Sequence, residues 1–270
     1  MKILAQVAYD GSKYHGFALQ KNVRTILGQL YKALRKFGTF KVDYLSRTDS
    51  GVNAVSQHII ISTENNDDRS LPYYLNSQLV PCIRIHKYTY LNEDFSLRKN
   101  VIFKEYLYVA PDLGEDLNKL RWICDFISSN SHNYSSLIKR QKSMDFDANM
   151  RIYVSFRKEG SFQLFTFRNR SFLWEQIRRI VTFIKSYGLN RLKKAEVFDI
   201  LKGHALPQGI APAPAEGLIL WRVKLNKFFR WINIHPEEII RRWILSRGKY
   251  GCILNRRFWT FPRRRMIRDG

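Results

Sequence analysis

Residues 47 to 57 read Arg47-Thr48-Asp49-Ser50-Gly51-Val52-Asn53-Ala54-Val55-Ser56-Gln57, and they lead into the β-branched run Ile59-Ile60-Ile61. This places one carboxylate on a loop at the mouth of a strand. The guanidinium of Arg47, two residues away, favours the charged form, and Gly51 permits a turn that other residues resist. An ionised carboxylate aimed into a cleft can form a covalent intermediate or stabilise a cationic sugar. Taken alone, Asp-x-Gly marks a turn far more often than an active site. The rest of the chain has to raise those odds.

Other chemistries find little support. Gly11 and Gly16 are spaced as in a phosphate-binding loop, but Phe17-Ala18 stands where Lys-Ser/Thr should follow. Cys82, Cys124 and Cys252 are far apart and odd in number, which supports neither a disulfide framework nor a zinc knuckle and fits buried, reduced thiols. Asp67-Asp68, the only Asp-Asp pair, lies in a polar turn, a poor cradle for a divalent metal. His58, His86, His204 and His235 have no partner spacing and are assigned to structure.

Composition narrows the partner. Of 270 residues, 46 are Lys or Arg and 23 are Asp or Glu, a formal charge of +23. Such an excess repels itself in a compact fold unless a polyanion neutralises part of it, and nucleic acid is the first candidate. A hydrophobic fraction of 45% and an aromatic fraction of 14% exclude a disordered basic tail. No segment approaches the roughly 20 apolar residues that span a bilayer, and Met1 to Val7 reads as the start of a strand, not as a signal peptide.

The elements that must position Asp49 alternate between strand and helix. Strands are predicted over residues 2–9, 57–63 and 101–109. Thr25 is the N-cap of a helix to about Phe37, with Ile26, Leu30, Leu34 and Phe37 on one face. A second helix is predicted between Glu115 and Ser128. Residues 151–156 and 162–167 form a hairpin about Glu159-Gly160. A helix from Phe172 to Tyr187 stops at Gly188, and a short one follows from Lys194 to Leu201. In the strand at 101–109, Tyr106 and Tyr108 fall on one face and Leu107 and Val109 on the other. The similar order of elements in both halves predicts two related halves rather than one doubly wound sheet.

From Lys227 to Gly270 the composition changes to 12 basic residues against 3 acids, with Trp231, Trp243 and Trp259 interleaved. Pro236-Glu237-Glu238 opens a helix. Arg241-Arg242 and Arg263-Arg264-Arg265 beside aromatics suit phosphate contact and base stacking. The same mixture describes a packed appendage with core tryptophans and solvated arginines, and sequence alone does not separate the two.

Several blocks, taken in order, resemble the TruA family of tRNA pseudouridine synthases. Tyr9-Asp10-Gly11-Ser12-x-Tyr14-x-Gly16-Phe17-x-x-Gln20 is similar to the family's opening block, and Ser46 to Ala54 to its catalytic block. Asn76-Ser77-x-Leu79-x-Pro81-x-Ile83, Phe95-Ser96-Leu97-Arg98, Tyr106-Leu107-Tyr108 and His132 to Leu137 follow in order. Phe172-Leu173-Trp174-x-Gln176-Ile177-Arg178-Arg179-Ile180-Val181 resembles the second-half helix, and Ala211 to Leu220 the last block. Phe17, Ser46 and Asn53 depart from the usual residues. Beyond about residue 226 the resemblance stops.

The resemblance implies an α+β fold of two pseudo-symmetric halves. Each half has a mainly antiparallel sheet flanked by helices, and a cleft lies between them. Residues 1–105 would carry the Asp loop, 106–225 would complete the cleft, and 226–270 would be a basic aromatic extension. It implies isomerisation of uridine to pseudouridine in the anticodon arm of tRNA, around positions 38 to 40 of the tRNA, by a cytoplasmic homodimer that uses no metal or other cofactor and has no membrane or DNA partner. Asp49 would be the nucleophile and Arg178 its partner across the cleft. Arg47 would fill the space left by the flipped base, and Tyr106 would stack on the uracil or handle its proton. Arg98 and Arg179, with Arg47 and the tail arginines 241, 242 and 263 to 265, are the candidate RNA contacts. The competing reading is a non-catalytic RNA-binding protein on the same fold, which needs the charge and the aromatic tail but no active Asp49.

Overall fold

The computed structural model describes residues 1–64, 70–79, 81–92, 94–139 and 147–247. Its centre is a nine-stranded sheet. The strands of the first half are β1 (Lys2–Tyr9), β2 (Phe40–Tyr44), β3 (Asn53–Thr63) and β4 (Ile83–Tyr90). Those of the second are β5 (Val101–Pro111), β8 (Tyr153–Glu159), β9 (Phe162–Asn169) and β10 (Leu218–Leu225), and β6 (His132–Asn133) with β7 (Asn149–Met150) makes a separate two-stranded ladder. A final short strand, β11 (Ile232–Asn233), pairs with β4. The order across the sheet is β11-β4-β1-β3-β10-β5-β9-β8, with β2 also on β3.

Every pairing in this sheet is antiparallel except one. Asn53 and Ala54 of β3 run parallel to Ile219 and Leu220 of β10. The fold is α+β with a mainly antiparallel sheet, as the resemblance implies, but the two halves do not carry separate sheets: this one parallel contact fuses them. The boundary drawn at 105/106 falls inside β5.

The register explains how the sheet carries a site. Tyr9 lies opposite Ala54, Ala54 beside Leu220, Leu220 opposite Tyr106, Tyr106 opposite Phe167, and Phe167 opposite Val154. Side chains alternate along a strand, so these six residues form one row on one face. They share a core with the buried faces of α1 (Ile26–Leu34), α2 (Leu71–Gln78), α4 (Leu117–Ser129), α5 (Gln176–Gly188) and α6 (Lys194–Leu201). A four-residue helix, α3 (Leu97–Asn100), leads into β5. Thr25 caps α1 by accepting from the Gly28 N–H at 3.1 Å, as its position predicts, and Asp116 caps α4 through the N–H groups of Asn118 and Lys119.

On the opposite face Ala8, Val55, Leu107, Val109, Leu164, Ile219 and Trp221 form a second core. Tyr106 and Tyr108 thus part from Leu107 and Val109 as the alternation predicts. Part of the chain after β10 covers this second face, while Phe229 belongs to the first core. Phe229 stands edge-on to Phe95 at 5.2 Å, Trp231 edge-on to His58 at 6.0 Å, and α7 (Glu237–Arg247) buries Ile240, Ile244 and Leu245 in the second core. Of the aromatics in the described tail, Phe229 is buried and Trp231 and Trp243 are partly buried, whereas Phe228 is 91% exposed. Arg241 lies over the Trp221 ring at 4.8 Å and pairs with Glu237 at 2.6 Å. Trp259, Cys252 and Arg263 to Arg265 lie outside the described residues, as does Asp67-Asp68. Among the described residues no helix is long and apolar enough to cross a membrane.

If α7 is a packing element, Ile244→Ala, at a position 1% exposed, lowers unfolding free energy by about 2–5 kcal/mol. Ile239→Ala, at a position 54% exposed, costs no more than about 0.5 kcal/mol. Denaturant midpoints of the two variants check this, and equal losses would remove α7 from the core.

Candidate active site

Asp49 sits on the loop between β2 and β3, and the loop is pinned at nearly every residue. Gln57, fully buried on β3, clamps Ser46: its Oε1 accepts the Ser46 N–H at 3.1 Å and its Nε2 donates to the Ser46 carbonyl at 2.6 Å. The Tyr9 hydroxyl meets Thr48 Oγ1 at 2.7 Å, and the Phe17 N–H donates to the Thr48 carbonyl at 3.1 Å. The Ser50 hydroxyl donates to the Tyr14 carbonyl at 3.2 Å. Asn53 accepts from the Gly11 N–H at 2.9 Å and donates to the Glu216 carbonyl at 3.1 Å, which ties the opening loop to the lead-in of β10.

The glycines serve this packing and not a phosphate. Gly16, at φ +86°, comes so close to the Asp loop that a Cβ would lie 2.7 Å from the Thr48 carbonyl oxygen. Gly51 turns the loop at φ +81° and packs against Ala215.

Opposite the loop, Arg178 projects from the first turn of α5 while its neighbours Ile177, Ile180 and Val181 are buried. Its Nε donates to the Ala213 carbonyl at 2.6 Å, and the Ala213 N–H returns a bond to the Arg178 carbonyl at 3.1 Å. So held, the guanidinium stands 3.7 Å from the Asp49 carboxylate. The helix starts four residues later than the sequence predicts. Glu175 takes a left-handed conformation, φ +57°, and the buried Gln176 side chain accepts the Leu173 N–H at 2.9 Å, so residues 172 to 174 form the cleft wall instead of a helical turn.

The resulting cleft of about 670 Å³ is lined by Arg47, Asp49, Tyr106, Phe172, Trp174 and Arg178, among others. Asp49, Tyr106, Arg178 and Arg47 are all brought to it. Arg98 does not line it, and Arg241 and Arg242 belong to α7, which packs on the other face of the sheet. Arg179 spends its donors internally, on Glu175 at 2.7 and 3.2 Å and on the Ile210 carbonyl at 2.6 Å.

Burial pushes the Asp49 carboxyl above the ordinary carboxylate value; Arg178 opposes this, Glu175 adds to it, and Lys139 and a hydrogen bond from Trp174 oppose it. Arg47, expected to hold the carboxylate ionised, is exposed at the rim and makes no ion pair with Asp49 among the described residues. The cation that does so comes from residue 178. Burial and the nearby Asp49 push the Tyr106 phenol up to about 12, which keeps it protonated at neutral pH. Its ring meets Phe172 edge-on at 5.3 Å. Sequence reasoning missed Lys139 and Glu175, which carry no motif: Lys139 reaches the cleft only because its main chain bonds to the Trp174 carbonyl at 3.0 Å.

Comparison with known proteins agrees with this geometry. A family model described as tRNA pseudouridine synthase matches residues 131–226, which contain Lys139, Trp174, Arg178 and Ala213. A protein of Pyrococcus furiosus named tRNA pseudouridine synthase A is 34% identical over 261 residues, covering 94% of this chain and 95% of that protein. The chain belongs to the tRNA pseudouridine synthase A family. Proteins of the same name from Thermococcus kodakarensis and Methanosarcina barkeri are 33% and 28% identical, covering 83% and 86% of this chain and 85% and 88% of theirs. As a member of the TruA family this protein is a pseudouridine-forming isomerase.

A carboxylate that works ionised fixes the acid limb of the reaction. Because burial raises Asp49, turnover falls away at a pH above the usual carboxylate value of about 3.9. Arg178→Ala removes the largest opposing charge and moves that limb to still higher pH. A pH profile of kcat/KM with an unmodified tRNA transcript checks both, and an acid limb unmoved by the substitution would separate Arg178 from Asp49.

Proposed function

We propose that this enzyme isomerises uridine to pseudouridine in the anticodon arm of tRNA, around positions 38 to 40 of the tRNA, with Asp49 as nucleophile and without a cofactor. The observation that carries the reading is the Asp49–Arg178 pair, 3.7 Å apart, in a cleft whose floor is Tyr106. The reaction breaks the C–N glycosidic bond, turns the base, and rejoins it through carbon with loss of a proton there and gain of one at nitrogen. Nothing is oxidised or reduced and no group is lost, so the chemistry calls for no carrier. The base must leave the stack to be reached. Asp49 supplies the anionic group that waits on the base or the sugar, and Arg178 keeps it charged and aimed. Tyr106, neutral at working pH, faces the uracil as a stacking surface and hydrogen-bond donor. The exposed Arg47 fills the place of the extruded base.

The charge of +23 supports a large RNA as substrate. Arg47 and Arg98 contact its backbone, with the tail arginines as further contacts. Residues 1–105 and 106–225 act as the two halves of the cleft, 226–270 as the extension. The protein works as a homodimer in the cytoplasm.

Asp49→Asn keeps the size and removes the charge. It abolishes pseudouridine formation while tRNA affinity, set by phosphate contacts, is retained. A carboxyl whose folded pKa is raised adds stability only below its unfolded pKa, and that contribution is gone once pH has risen through the folded value. The asparagine variant therefore unfolds at no lower temperature than the parent at neutral pH. Nucleoside analysis of the product, filter binding and thermal melting give the three readouts. Retained turnover would place the nucleophile elsewhere, and a parent enzyme that binds tRNA but leaves every uridine unchanged would favour the non-catalytic reading.

A further inference from the structure

Trp174 stands in the cleft with 40% of its surface exposed, whereas Tyr106 on the floor shows 7%. A tryptophan gains by burial, and leaving one open in a reaction cleft forgoes that gain. Here the ring is instead fixed in place. The Lys139 ammonium lies 4.3 Å from the indole centroid and 3.7 Å from Glu175 Oε1, and the Lys139 N–H donates to the Trp174 carbonyl at 3.0 Å. Trp174 also lines the cleft close enough to the Asp49 side chain to oppose the rise of its carboxyl. An indole beside the reacting carboxylate, backed by a cation and anchored through its main chain, is rigid, apolar and accessible, the properties of a surface on which an unstacked base rests.

We propose that Trp174 is the stacking platform for the nucleobase next to the flipped uridine. The inference rests on the reading of this cleft as the isomerase site. The target uracil has to reach Asp49 and Tyr106 at the floor. Trp174 meets the same carboxylate from the open side, so the base it supports is the neighbour along the strand. The platform replaces the stacking that this neighbour loses when the uridine swings out, which lowers the cost of extrusion. Lys139 holds the ring flat against the strand and adds positive charge for the adjoining phosphate.

The test measures kcat/KM for the wild type, Trp174→Phe and Trp174→Ala on an intact tRNA transcript and on transcripts with an abasic site on either side of the target. Removing one of the two neighbours costs the wild type roughly 5- to 150-fold, the value of one base–aromatic stack. Trp174→Ala costs a similar factor on the intact RNA, the two losses do not multiply, and Phe recovers most of the alanine loss. Losses that multiply, or wild-type rates that ignore both neighbours, overturn the proposal. So does a Phe variant as poor as the Ala variant, which would leave the indole only its polar N–H beside Asp49. If the alanine variant does not fold, the wild type on the abasic transcripts decides alone. A wild type that converts no uridine in the intact RNA overturns the isomerase reading itself. A wild type that converts it while the losses multiply overturns only the platform.

Discussion

A carboxylate half-withdrawn from solvent is held in its charged form by a fixed cation, and much of this structure positions one. Asp49 is raised by its own burial, and the strongest counterweight is Arg178, more than a hundred residues away in the chain. A flexible side chain would lose much of its effect to conformational freedom. Arg178 is instead anchored by reciprocal bonds with Ala213, and its helix is locked by a run of buried apolar residues. The carboxylate side is equally constrained: Gln57, Tyr9, Phe17 and Asn53 hold the loop from three directions. The fused sheet then fixes the distance between the two sides.

Much of the fold was legible in the sequence wherever a local pattern had only one physical solution. The helix at Lys194–Leu201 and the cap at Thr25 are found where periodicity and hydrogen-bonding residues put them. The strand predicted at 57–63 begins four residues earlier, because Asn53, Ser56 and Gln57 look like loop residues yet are buried and hydrogen-bonded. Residues 172 to 174 look helical by composition, and only the left-handed Glu175 keeps them out of the helix. The fusion of two sheets into one depends on a two-residue parallel contact between β3 and β10, which leaves no pattern in either strand.

For the site, Asp49, Arg178, Tyr106 and Arg47 were legible as motif residues, and the cleft gathers all four. The resemblance supplied Arg178 as the carboxylate's partner, but not Lys139 or Glu175 beside it. Proximity in sequence pointed to Arg47, whereas proximity in space belongs to Arg178 and Lys139. The tail shows the same limit from another side. Trp231 beside basic residues fits RNA contact as well as packing, and only its place against His58 and Phe229 separates the two.

The position of β10 has a consequence for how the protein is made. Among the described residues it is the next-to-last strand, yet it lies in the middle of the sheet, so on the ribosome β5 is synthesised more than a hundred residues before the partner that covers its edge from Val101 to Tyr108. Ala213, which anchors Arg178, and Glu216, which holds Asn53, arrive in the same late stretch. An incomplete nascent chain thus has neither a closed sheet nor a poised carboxylate, and its open strand edge is a template for wrong pairing until translation reaches Leu225. The site is withheld until residues 213 to 225 are made, and through that interval the edge of β5 lacks its native partner.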